Sequence, residues 1–501
     1  MTTETHTTAG APVVTNGRLR STNPASGALV AEFPVAGETE VREAVEQARG
    51  AAEWWGGLGF AGRAERLRRW ATILARRMPE LARAVHAEGG KPIGDALLEV
   101  TAVVDHLAWA ARNARRVLGP RRVGGSLLMY DHGAVLEYQP FGVVGVIGPW
   151  NYPVFTPMGS IAYALAAGNA VVFKPSEYTP AVGQWLVDSF AEVVGEEPVL
   201  SAVHGLGDTG AALCRSGVDK VAFTGSTRTG KRVMAACAET LTPVLVECGG
   251  KDAMIVDSDA DLDDAADAAC WAGMSNAGQT CVGIERVYVL DEAADAFVDK
   301  LVAKAKALTV GADDADIGPI TMPGQIEIIR RHITDAVERG GTAVLGGVDA
   351  VRPPYVHPTI LLDVPEDAAA VREETFGPTL TVTRVPSLDE AVRRANATAY
   401  GLGSSVFSRR RGMATARRLR SGMTSVNAAM SFVGLPSLPF GGVGDSGFGR
   451  IHGADGLREF ARPKAIARRR FRTPMPVLSF RRGHRTDEIV VRLVRFLHGR
   501  G

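Results

Sequence analysis

A chain of 501 residues exceeds what one ordinary hydrophobic core organises, so two or three domains are expected. With 46% hydrophobic and 22% charged residues, 57 glycines and 27 prolines, the composition excludes a disordered or fibrous protein. A formal net charge of +1 gives no whole-molecule attraction for nucleic acid or for an acidic partner.

The opening MTTETHTTAGAPVV has neither the basic nor the apolar region of an export signal, and no apolar run anywhere reaches about 18 residues. A cytoplasmic protein is expected. The cysteines at 214, 237, 248, 270 and 281 include no CxxC pair and no histidine at zinc-finger spacing, so neither a metal site nor a disulfide framework is expected. In a reducing compartment the question about each is reactivity.

Between Arg42 and Glu88, apolar side chains at three- and four-residue spacing predict two amphipathic helices. RRVGGSLLMYDHGAVLEYQP then reads as a β-hairpin turning at Asp131-His132-Gly133. From Gly142 the apolar runs GVVGVIG, AVVF, VLSAV, KVAF and VLVE alternate with helix-length stretches, the pattern of a parallel sheet covered on both faces. A second series after Gly249 (AMIV, ERVYVL, PTILL, LTVTRV, GSSVF and MTSVN, with three helical stretches) predicts another α/β domain. From Arg462 to Gly501 there are 12 Lys and Arg against 2 acids, leaving 44 basic and 53 acidic residues in the remainder. Within that tail DEIVVRLVRFLHGR makes an amphipathic helix, either packed on its own or a neighbouring subunit or lying at a membrane surface or substrate mouth.

Gly205-Leu-Gly207-Asp-Thr-Gly210 has the form of a dinucleotide fingerprint, but the acid expected about 20 residues later is replaced by FTGS, so it is either a differently used loop or only a turn. FTGSTRTG opens the next helix with Gly225 and Ser226, where backbone N–H groups either hold a phosphate or merely cap the helix. Lys174 and Glu177, in VVFKPSE, offer a cation and a carboxylate to ribose hydroxyls, or else a solvated strand end. Cys281, in SNAGQTCVG, alone reads as a structural cysteine. Glu247 before a Gly-Gly turn and Asn151 after the first sheet strand change that reading. A thiol nucleophile, a carboxylate base and an amide donor are what acyl chemistry on a carbonyl requires.

GPWNYP, FKPSE, FTGSTRTG, ECGGK, NAGQTC, EETFGP and LPFGGVGDSG, in this order, together resemble the aldehyde dehydrogenase superfamily over about residues 23–464. The resemblance implies a Rossmann-type doubly wound parallel sheet binding NAD (1–120 and 141–248), a second α/β catalytic domain (249–440), oligomerisation segments including a bridging hairpin (121–140 and 461–482), and a basic amphipathic tail (483–501). A homodimer or homotetramer is implied, and in some relatives such a tail closes the substrate mouth or rests on a membrane. Cys281 is then the nucleophile, Asn151 the oxyanion donor and Glu247 the base that releases the acid through hydrolysis of a thioester. Ile147, Pro149 and Trp150 line the cofactor groove, Lys174, Glu177, Gly225 and Ser226 hold the adenosine and pyrophosphate, and Glu374 holds the nicotinamide ribose with Phe376 beside the ring.

A carboxylate at Glu177 favours NAD over NADP. Gly159 and Ser275 stand where succinate-semialdehyde enzymes of the family typically carry arginines, which points to an uncharged aliphatic or aromatic aldehyde. A semialdehyde dehydrogenase is the alternative within the family. A cysteine acyl-hydrolase without hydride transfer is the alternative outside it.

Overall fold

Predominantly apolar runs of five to seven residues, too short for helices and most of them rich in valine, become the buried strands of two sheets. The computed structural model describes residues 12–125, 127–473 and 477–499. In the first sheet β1 (Val143–Ile147), β2 (Ala170–Lys174), β3 (Leu200–Ala202), β4 (Lys220–Gly225) and β5 (Val244–Cys248) run parallel. Their spatial order is β5-β4-β1-β2-β3, with Gly447–Phe448 pairing antiparallel on the outer edge of β5. The order reverses direction at β1, so a crevice opens beyond the carboxyl ends of β1 and β4.

The second sheet has seven strands. Its centre is β6 (Asp252–Val256), β7 (Ile284–Leu290) and β8 (Thr379–Val385), parallel and adjacent in the order β8-β7-β6. Each apolar run predicted as a strand is one, and the three helical stretches predicted in this half fall at Leu262–Met274, Asp291–Lys306 and Leu388–Ala395. One hydrophobic cluster extends continuously through both halves.

The preface differs from expectation. Three helices, Glu38–Gly57, Gly59–Arg76 and Met78–Gly89, replace the predicted two, because the second predicted stretch breaks at Arg77 without losing its apolar spacing. A longer helix, α1 (Ile93–Leu118), follows and packs on α2 (Phe155–Ala167). The predicted hairpin is also altered: His132 and Gly133 already belong to the strand His132–Pro140, and Leu127–Met129 forms a 3₁₀ turn between it and the short strand Arg121–Val123. The third strand of this small sheet is Ala461–Arg469, and beyond Ala461 all of it is exposed.

The tail forms α3 (His484–His498), in which no residue is buried. Val490 and Leu493 are half-buried, and Leu493 lines a pocket with Leu127, Leu128 and Tyr130 of the same chain.

Candidate active site

Asn151, Glu247 and Cys281 come from three separate parts of the chain and meet between the two sheets. Asn151 lies four residues beyond β1, Glu247 is the penultimate residue of β5, and Cys281 ends the loop that precedes β7. The Asn151 amide is buried and donates to the Gln279 carbonyl over 2.9 Å, two residues before the thiol. A side-chain amide has two N–H groups, so the second remains to donate to an oxyanion.

Glu247 is almost wholly buried, and neither carboxyl oxygen makes a hydrogen bond of normal geometry. Its neighbours are the Thr224 hydroxyl and the Cys281 thiol. Burial pushes this carboxyl up to about 7, close to the ideal for a base at neutral pH. The Cys281 thiol is held well above the usual cysteine range, first by burial and then by the charges of Glu247, Glu374 and Asp252. Asp252 is itself pushed up to about 8 by burial. These groups cannot all be ionised together.

The loop carrying the thiol is held in a conformation few sequences tolerate. Asn276, Ala277 and Gly278 are consecutive left-handed residues with φ of 50°, 56° and 71°. At Gly278 a β-carbon would overlap the Gly377 carbonyl. The Asn276 N–H donates to Asp95, the Asn276 amide to the carbonyls of Asn151 and Gln279, and the Gln279 amide to Asn276 while its oxygen accepts from the Thr321 N–H. The small residues of this loop therefore serve a rigid backbone turn.

Two buried ion pairs support the site, and sequence reasoning missed both. Glu99, paired with Lys91, accepts from the N–H groups of Val154 and Phe155, fixing the turn between Asn151 and α2. Lys91 also sits 3.6 Å over the Tyr152 ring, whose hydroxyl meets Thr280 at 3.0 Å. Glu285, paired with Lys251, accepts from the N–H groups of Thr375 and Phe376 and so fixes the turn bearing Glu374. Their only sequence signal was a charge in an otherwise apolar segment, as in CVGIERVYVL.

The expected cofactor residues gather along the crevice. Ile147 pairs with Lys174 and Phe223 in register, and Gly225 lies beside Cys248, so the strand ends are level. Lys174 donates to Glu177 over 2.9 Å. Ser226 caps the helix Thr227–Ala238 by accepting from the Thr229 N–H, as the plainer sequence reading had it; its other first-turn N–H groups lie at the same end. Half-buried Pro149 and Trp150 follow β1, and the Trp150 ring stands edge-on to Phe376 at 5.6 Å. Glu374 accepts from the Gly250 N–H over 3.0 Å, and burial followed by the Glu285 charge pushes it up to about 8. Phe376 has φ of 52°. A level crevice with a cation and carboxylate at one end, a helix N-terminus in the middle and an aromatic edge at the other fits a dinucleotide. Gly205-Leu-Gly207 is a turn into the helix Gly207–Arg215, whose Gly210 packs towards Ile147 and Lys174.

On the far side of Asn151, α2 begins with Phe155, part of a cluster with His452 (5.2 Å), His106 (5.5 Å) and Phe440 (6.3 Å), and Phe440 meets Phe432. A β-carbon on Gly159 would lie 2.6 Å from Ile451 and 2.8 Å from His452. Burial holds His452 well below the usual histidine range, so this wall is aromatic and neutral. Ser275 is buried with an unpartnered hydroxyl.

The family model described as aldehyde dehydrogenase family matches residues 13–466. Across 91% of this chain and 87% of the relative, the sequence is 37% identical to a 4,4'-diapolycopene aldehyde oxidase of Methylomonas sp.. It is 36% identical to a probable succinate-semialdehyde dehydrogenase [NADP(+)] of Sinorhizobium fredii, covering 87% of this chain and 90% of that one. Among solved structures, an NAD-dependent aldehyde dehydrogenase from Sinorhizobium meliloti superposes with a TM-score of 0.88 at 33% identity, covering 92% and 93% of the two chains.

Proposed function

The chain belongs to the aldehyde dehydrogenase family and oxidises an aldehyde to the carboxylic acid with a nicotinamide cofactor; from that premise, we propose that Cys281, Asn151 and Glu247 carry the chemistry on an uncharged, apolar aldehyde. The contact of the Cys281 thiol with the Glu247 carboxyl, beside an amide already fixed on the Gln279 carbonyl, carries this reading.

Cys281 gives up its proton to solvent, and the sulfur adds to the aldehyde carbon. The free N–H of Asn151 donates to the oxyanion of the resulting thiohemiacetal. Glu374 and Phe376 would hold the nicotinamide, which would supply the hydride acceptor needed to take this adduct to a thioester. Glu247 then takes a proton from water as that water attacks the thioester carbon, the C–S bond breaks with its electrons returning to sulfur, Glu247 passes its proton to that sulfur, and the acid leaves.

We assign cofactor binding to the sheet of residues 141–248 with the preface 1–120, catalysis to 249–440, and assembly to 121–140 and 461–482. NAD is the preferred cofactor, because a 2′-phosphate would face the Glu177 carboxylate. Ile147, Pro149 and Trp150 line the groove, Lys174 and Glu177 hold the adenosine ribose, Gly225 and Ser226 face the pyrophosphate, and Glu374 and Phe376 hold the nicotinamide end. The neutral aromatic wall of Phe155, Phe432, Phe440 and His452 supports an apolar substrate, because a buried carboxylate there would lack a cationic partner.

The test is a panel of propanal to decanal, benzaldehyde and succinate semialdehyde with NAD and with NADP. The expected kcat/KM is at least about tenfold higher for the medium-chain and aromatic aldehydes than for the semialdehyde. It is also expected to be higher with NAD. A preference for the semialdehyde would overturn the substrate assignment, and a preference for NADP the cofactor assignment.

A further inference from the structure

We propose that His452, with His106 behind it, is a specificity-determining residue that hydrogen-bonds a hydroxyl group at the far end of the aldehyde. This role rests on Cys281 acting on an uncharged aldehyde, and it narrows that substrate to one whose apolar stretch ends in an alcohol.

His452 holds its place under two energetic disadvantages. It has φ of 62° and ψ of 165°, a backbone region that is essentially glycine's alone. It is also only 1% exposed, and neither ring nitrogen has a hydrogen-bond partner among the described residues. The rings of Phe155, Tyr163, Phe440 and His106 surround it at 5.2, 5.6, 5.6 and 3.8 Å. Phenylalanine would fill that space without burying a polar atom, and glycine would relieve the backbone. Packing therefore does not account for an imidazole here. The nearby Tyr163 hydroxyl is already engaged, donating to the Pro436 carbonyl and accepting from the Gly453 N–H.

The two imidazoles define what they can hold. His106 Nε2 lies 2.9 Å from the Val433 carbonyl, which can only accept, so this nitrogen carries the proton. Burial keeps both rings below the usual histidine range, so both are neutral. His106 Nδ1 is then a lone pair, and it too has no partner among the described residues. His452 adds one N–H and one lone pair. Neutral rings give a buried carboxylate no cation and a buried ammonium group no anion. A hydroxyl accepts from an N–H and donates to a lone pair, which is the complement of this pair.

The position suits the end of a chain, away from the reacting carbonyl. Phe155 follows the Asn151 turn, and Gly159 lies about 6 Å further along α2. A β-carbon on Gly159 would stand 2.8 Å from His452 Nε2, so this nitrogen faces α2 one turn beyond Phe155.

The test is kcat/KM with NAD for 6-hydroxyhexanal to 10-hydroxydecanal against hexanal to decanal, in wild type, His452→Phe and His452→Gln. The ratio of the two substrates within one protein does not depend on how much of that protein is folded. Wild type is expected to favour the hydroxyaldehyde at least about tenfold at its best chain length, chiefly through KM. His452→Phe is expected to remove the preference, and His452→Gln, whose amide keeps a donor and an acceptor, to retain part of it. No preference for the hydroxyaldehyde at any length, or an undiminished preference in His452→Phe, would overturn the proposal. Failure of the reading beneath it looks different: succinate semialdehyde would outrun every uncharged aldehyde, or Cys281→Ala would turn over.

Discussion

Burial sets the pH behaviour of the central carboxylate. Glu247 loses water and gains no compensating hydrogen bond, so its proton is retained to about 7 rather than the ordinary 4.5. Where release of the acid limits turnover, kcat should rise with pH through an inflection near 7, and Glu247→Gln should abolish that inflection; a wild-type profile flat from pH 5.5 to 8.5 would remove Glu247 as the base. The same shift predicts a stability effect. A carboxyl whose folded pKa is raised binds more protons folded than unfolded, so its contribution to stability falls as pH rises from about 4.5 to about 7 and is constant above. Glu247→Gln should therefore gain stability relative to wild type across that window, on the order of 3 kcal/mol by pH 7. Urea denaturation at pH 5 and pH 8 measures it, and an unchanged difference between wild type and variant would contradict the account.

Around the catalytic residues, two turns are fixed by two buried carboxylates with different consequences. Removing Glu99 frees the turn that follows Asn151, and removing Glu285 frees the turn around Glu374 and Phe376. Each also leaves a buried lysine without its partner, a loss of roughly 3–5 kcal/mol. Glu99→Ala is expected to lower kcat with little change in cofactor KM, whereas Glu285→Ala is expected to raise cofactor KM. Steady-state kinetics at low temperature distinguishes them, and identical effects would mean general destabilisation only. These supports explain the limits of what the sequence disclosed. Strand ends were legible because five valine-rich runs stop at glycine, proline or a charged residue, which placed Lys174, Gly225 and Glu247 along one edge. Glu99 was not, because its partners Val154 and Phe155 lie 55 and 56 residues away and no local pattern announces them. The left-handed run at Asn276 and Ala277 was equally hidden, since neither residue demands that conformation; it is held by the Asn276 N–H donating to Asp95 and by the Gln279 amide, itself accepting from the Thr321 N–H, donating to the Asn276 carbonyl. The break at Arg77 carries no proline or helix-ending glycine before it, so the second and third helices read as one.

Across the whole molecule, the two sheets carry the chemistry while the small sheet and the tail face outward. The strand Ala461–Arg469 pairs with His132–Pro140 on one side only, leaving a nine-residue edge whose backbone groups are free to pair. We propose that further copies of the chain cover that edge, as in a homodimer or homotetramer. Light scattering on the purified protein should give two or four times 53.0 kDa. Ala465→Pro, which removes an N–H from the middle of the strand, should shift mass towards the monomer, and a monomeric wild type would contradict the assignment. The charge asymmetry was legible from composition, but which way the tail helix faced was not, because an amphipathic pattern is the same whether its partner is protein or lipid.

The account rests on Cys281 forming a thioester that Glu247 resolves, and pre-steady-state measurement of NADH at 340 nm with octanal tests it most directly. Wild type is predicted to turn over continuously, Glu247→Gln to release about one NADH per site and then stall, and Cys281→Ala to release none. Continuous turnover by Cys281→Ala, or steady wild-type turnover by Glu247→Gln, would contradict it.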